Sequence, residues 1–144
     1  MIENDTIKLL RECDAGTKMG ISSISEVIDR VKSTGLKEKL NESKLEHEKL
    51  EAEIQEKLIE FKDDGKDPNP MAKGMSWLKT NVMIGIEHSD KTISDLLTDG
   101  CDMGIKSLNS YLNMYTAADE RSKDIAKKLI KIEDKLRNDL KEYL

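Results

Sequence analysis

Cys13-Asp14-Ala15-Gly16-Thr17-Lys18 and Cys101-Asp102-Met103-Gly104-Ile105-Lys106 are two copies of one phrase, Cys-Asp-x-Gly-x-Lys, set 88 residues apart. The offset persists along the flanks. Leu9, Cys13, Gly16, Gly20, Ile24 and Val27 fall on Leu97, Cys101, Gly104, Leu108, Leu112 and Tyr115. Both series advance by four, three, four, four and three residues, the spacing that keeps side chains on one face of an α-helix. The chain therefore reads as two related halves, each opening with a helix whose buried stripe carries small residues at its middle.

Working outward, Asn4 or Asp5 can cap a first helix carried by Lys8 to Val31. Ser33-Thr34-Gly35 is expected to end it, because glycine tolerates the left-handed turn that closes helices. A second helix follows from about Leu36 to Lys62, buried through Leu36, Leu40, Leu50, Ile54, Leu58 and Phe61. So short a break makes the two antiparallel neighbours. Asp63 to Pro70 holds both prolines and reads as a linker. After it, Met71, Met75, Leu78, Val82 and Ile86 mark a shorter amphipathic helix with Trp77 beside its stripe. Glu87-His88-Ser89-Asp90 reads as a break and a new cap, and two further helices run from about Lys91 to Tyr115 and from Arg121 to Leu144.

A shift of 86 residues lays Leu40, Leu50, Ile54 and Leu58 on Ala126, Leu136, Leu140 and Leu144, so the second hairpin repeats the first. Helices of ~25 residues are roughly 38 Å long. The piece between the hairpins is long enough to travel that distance with a helix of its own. The expected fold is all-α: a ferritin-like four-helix bundle of two duplicated αα-hairpins, 4–62 and 91–144, joined by a helical crossover, 63–90, within one domain. A five-helix up-and-down array is the alternative.

Charged and hydrophobic residues each make up 37% of the 144 residues, and aromatic ones 3%. That balance fits long helices with solvated outer faces. The formal charge of −5, with Lys and Glu interspersed, argues against a general nucleic-acid binder. The most apolar window, Val82 to Ile86, is far short of the ~20 residues that cross a bilayer. No signal-like start and no disulfide framework point to a cytoplasmic protein with reduced thiols.

Ferritin-like bundles that hold two metals place a Glu on each opening helix and a Glu-x-x-His on each returning helix. In this chain Lys44 and Gly85 stand three residues before His47 and His88, so that motif does not occur. On the returning helices His47 matches Glu133 in the 86-residue offset. Two readings compete. In one, His47, Glu133, Asp14 and Asp102, with Glu46 as a further candidate, bind iron or manganese. In the other, His47 and Glu133 form a buried hydrogen-bonded pair while Asp14 and Asp102 point outward. Cys13 and Cys101 are read as small apolar residues, with a redox pair conceivable. Gly16, Gly20 and Gly104 each cost about 1 kcal/mol against Ala in a helix. They mark close helix contact or space left for a ligand.

Leu-Leu-Arg-Glu-Cys-Asp-Ala-Gly near the start, the Trp77 helix after the proline linker, and Cys-Asp-Met-Gly-Ile-Lys-Ser-Leu together resemble the bacterial ferritin-like domains of unassigned function, relatives of the rubrerythrin and ferritin group. The resemblance implies a cytoplasmic, oligomeric ferritin-like bundle. In such families an acidic residue follows the Gly of each opening helix; Thr17 and Ile105 stand there in this chain, so the metal role does not carry over. The expected function is therefore non-catalytic, through protein contacts, as a homodimer without a cofactor. Met75 and Trp77 are the candidate partner contacts, and neither nucleic acid nor membrane is expected. A metal-dependent oxidoreductase or storage protein using iron or manganese is the rival.

Overall fold

The computed structural model describes residues 2–66 and 89–144. Ile2–Val27 forms α1, which tightens into a 3-10 turn at Ile28–Arg30. Thr34–Glu60 forms α2, Asp90–Met114 forms α3, and Glu120–Leu140 forms α4, ending in a 3-10 turn at Lys141–Tyr143. The four pack into an all-α four-helix bundle, as the apolar stripes predict. The expected crossover helix, with Met75 and Trp77, lies outside the described residues.

Three helix starts carry side-chain caps. Ser33, Ser89 and Asp119 accept the amides of Leu36, Thr92 and Ser122 at 3.2, 3.1 and 2.8 Å. Ser33-Thr34-Gly35 thus begins α2 instead of ending α1. The Ser33 hydroxyl satisfies an amide that the helix start would leave unpaired, and Gly35 falls inside the first turn. Asn4 and Asp5 lie within α1, and the Asp5 carboxylate accepts the amide of Ala117 at 3.0 Å.

Hydrogen bonds at the two ends fix the helix directions. At one end the Asp90 carboxylate accepts the amides of Lys32 and Ser33 at 2.8 and 2.9 Å, joining the end of α1 to the start of α3. At the other, Thr6 accepts the amide of Asp119 at 2.8 Å, and Lys57 pairs with Asp119 at 3.2 Å. Helices α1 and α4 therefore run one way, and α2 and α3 the other. Glu60 and Asp90 stand at opposite ends of the bundle. No helix among the described residues is long and apolar enough to cross a membrane.

The core falls into two clusters stacked along the bundle. One gathers Ile24, Val27, Leu36, Leu40, Leu97 and Leu140; the other gathers Leu9, Leu50, Ile54, Leu58, Ile125 and Leu129. Between them the stripes turn polar, with Ser43 and His47 between Leu40 and Leu50, and Glu133 between Leu129 and Leu136.

Helix α2 ends in a Schellman pattern: the Asp63 amide donates to the Leu58 carbonyl at 3.0 Å and the Lys62 amide to the Ile59 carbonyl at 2.9 Å. Lys62 carries the left-handed residue of this cap, at φ 55°. A side chain in that conformation costs roughly 1–2 kcal/mol, partly offset by the extra chain entropy that glycine loses. Lys62→Gly is expected to stabilise the fold by about 0.5–1 kcal/mol, read as a higher urea midpoint at unchanged slope.

Candidate functional site

The polar layer is built around His47, which is fully buried. Its Nδ1 lies 2.8 Å from the Ser43 carbonyl, which can only accept, so Nδ1 carries a proton. Its Nε2 lies 3.0 Å from Glu133 Oε1. A second proton, on Nε2, is donated to Glu133 and makes the ring imidazolium. Burial works against that charge. The Glu133 hydrogen bond and charge, with the Ser43 carbonyl and Glu46, outweigh it and raise the His47 pKa. The two residues related by the 86-residue offset are thus bonded to each other.

Cys101 lies beside the same carboxylate. Burial, then the charge of Glu133 and a hydrogen bond to it, push its thiol far above the ordinary range. Burial, then Glu12 and Asp14, push Cys13 up to about 12. Both thiols are free and protonated at neutral pH, and they sit in different core clusters.

The glycines of the repeated phrase face a cavity. It has a volume of about 500 Å³ and lies between α1 and α3, with His47 and Glu133 among its lining residues. A Cβ at Gly20 would stand 2.5 Å from the His47 ring, so the imidazole occupies the space a side chain would take. A Cβ at Gly16 would meet Leu129 at 3.4 Å, one at Gly104 would meet Glu133 at 3.8 Å, and one at Gly100 would meet nothing within 4 Å. These glycines make room for side chains and for the cavity; close contact between the backbones of α1 and α3 is not what they serve.

Asp14 departs from the outward placement expected of it in the paired reading: it is fully buried. Its Oδ1 accepts from Gln55 Nε2 at 2.8 Å, and its Oδ2 accepts from Lys18 Nζ and the Lys66 amide, each at 2.9 Å. The chain leaving α2 folds back over α1 to deliver that amide. Gly65, at φ 85°, permits the return, since a Cβ there would collide with Asp14. Glu51 joins the cluster through Gln55 Nε2 at 2.8 Å. Burial, then the Asp14 carboxylate beside it, push the Glu51 carboxyl up to about 8. Its Oε2 has no hydrogen-bond partner among the described residues.

Asp102 is exposed and accepts from Arg137 at 3.0 Å. The four candidate ligands are therefore brought together only as the pair His47–Glu133, while Asp14 and Asp102 are bonded elsewhere. An iron or manganese role would need them to leave these partners. Among the described residues no group of three or more His, Cys, Asp or Glu side chains is disposed to hold a metal ion. Thr17, standing where the resembled family has an acid, is buried and donates to the Cys13 carbonyl of its own helix at 2.7 Å. Glu51 and Gln55 were missed by sequence reasoning; their i, i+4 spacing on α2 was the available signal.

Two outcomes follow from these bonds. Removing one partner of the pair, as in Glu133→Leu, should cost about 3 kcal/mol in urea denaturation because it strands a buried imidazole, whereas His47→Leu with Glu133→Leu should recover most of that loss. Glu51 and His47 both hold their protons more tightly when folded. Stability from Glu51 is thus complete below about pH 4.5 and is lost as pH rises through about 8, and that from His47 is lost as pH rises above 6.5. Glu51→Gln should remove its part of the slope of stability against pH, leaving the His47 part. No protein-family model, curated protein or solved structure matches this chain.

Proposed function

We propose that the chain is a non-catalytic binding protein whose site is the cavity between α1 and α3. The observation that carries this reading is a cavity of about 500 Å³ held open by glycines at helix-interior positions. Those glycines weaken their helices, and the space they leave is of the size that small-molecule pockets have, about 300–1,000 Å³. Apolar residues such as Leu97, Leu108 and Leu129 share the lining with the His47–Glu133 pair, a few polar groups converging in an apolar wall. Both ring nitrogens of His47 are engaged and both thiols hold their protons, which supports binding over chemistry.

A second reading, a homodimer working through protein contacts, is favoured by one observation. Leu45 and Ile59 are 52% and 71% exposed on α2, fourteen residues apart and so on one face, with exposed Ala52 midway. The ferritin-like reading draws support from the opposite placement of Glu60 and Asp90, which suits one long crossover.

N-phenyl-1-naphthylamine, an uncharged apolar reporter, should gain fluorescence in the cavity. Gly104→Leu should abolish that gain without lowering the melting temperature, since leucine is the better helix former by roughly 0.8 kcal/mol. Reporter binding unchanged in Gly104→Leu would sink the cavity reading. The dimer reading predicts twice the chain mass by light scattering and half that in Leu45→Glu/Ile59→Glu.

A further inference from the structure

We infer that this cavity selects by charge, taking elongated apolar molecules with a cationic head over those with an anionic one. The inference rests on the cavity being the binding site. Its shape comes from the helices that wall it. The lining runs on α1 from Glu12 to Ile24, about 18 Å, and on α3 from Leu96 to Tyr111, about 22 Å, so the space is a slot along the bundle. A flexible alkyl chain fits such a slot better than a compact ring system does.

Carboxylates outnumber cationic groups along its lining. Glu12, Asp99 and Glu133 line the slot, and no lysine or arginine does so among the described residues. The Lys66 ammonium lies 2.5 Å from Glu12 and neutralises that end. His47 is the cationic group in the wall, and both its nitrogens are committed, to Ser43 and to Glu133 Oε1. The second Glu133 oxygen, Oε2, lies on the α3 side, 4.0 Å from where a Gly104 Cβ would stand. An ammonium head reaching Oε2 gains a charge-assisted hydrogen bond while the His47 bond stays intact. A carboxylate head in the same place meets the Glu133 carboxylate with no donor of its own and gives up part of its hydration.

Displacement of N-phenyl-1-naphthylamine by decylamine, decanol and decanoate, each below its micelle-forming concentration, tests this. The expected order is decylamine, then decanol, then decanoate, with at least tenfold between the first and last. In Glu133→Gln, whose side chain keeps the size and an acceptor for His47, decylamine should weaken about tenfold while decanol does not change. Should that variant fail to fold, the order in the native chain, repeated in Asp99→Asn, decides. Equal displacement by all three, or decanoate ahead of decylamine, overturns the charge selection while leaving the cavity as a binding site. If the reporter binds but none of the three displaces it, the slot does not take alkyl chains and the inference falls. Failure of the reporter itself to bind removes the cavity reading and this inference together.

Discussion

The hydrogen bond between His47 and Glu133 is the constraint on which the middle of the bundle depends. The buried imidazole is tolerated because a carboxylate lies 3.0 Å from one nitrogen and a carbonyl 2.8 Å from the other. Such a pair adds little net stability over a well-packed apolar layer, yet losing one partner is costly. Its effect is on register. Helices α2 and α4 can slide in leucine-on-leucine contact at small cost, but a slide of one turn leaves His47 without an acceptor. The polar layer thereby divides the core into two clusters and fixes how they stack.

The same ring explains the composition of α1. An imidazole lying across the bundle needs a neighbour without a side chain, and Gly20 is that neighbour. Gly16 and Gly104 extend the small-residue zone above it, and the cavity is the space that results. Helix propensity, a polar pair and a cavity are here one arrangement. The cost in propensity at the glycines goes with room for the ring and for the slot beside it.

Much of this was legible in the chain. Apolar residues at four- and three-residue spacing gave the four helices, because burial of one face is a local property of sequence. The offset of 86 residues matched His47 with Glu133 on the returning helices. Asp14 was not legible. It lies next to Cys13 at the edge of the stripe, and what buries it is the chain returning after α2, with the Lys66 amide and Gln55 as donors. No periodicity reports a contact made by a loop. The start of α2 was misplaced for a similar reason, since Gly35 suits either a helix end or a first turn, and the Ser33 hydroxyl decides between them.

The short turns at the hairpins have a kinetic consequence. Helices α1 and α2 are separated by a few residues, as are α3 and α4, so each pair can meet after closing a small loop, and local contacts of this kind form quickly. Bringing the two pairs together requires closing a much longer loop, and until that happens His47 on one pair has no Glu133 from the other. Docking of the two hairpins is then the step at which desolvation of the ring and arrival of its counter-charge occur together. Substitutions within a hairpin turn should act mainly on how fast the hairpins form, and those in the polar layer on how long the docked bundle persists.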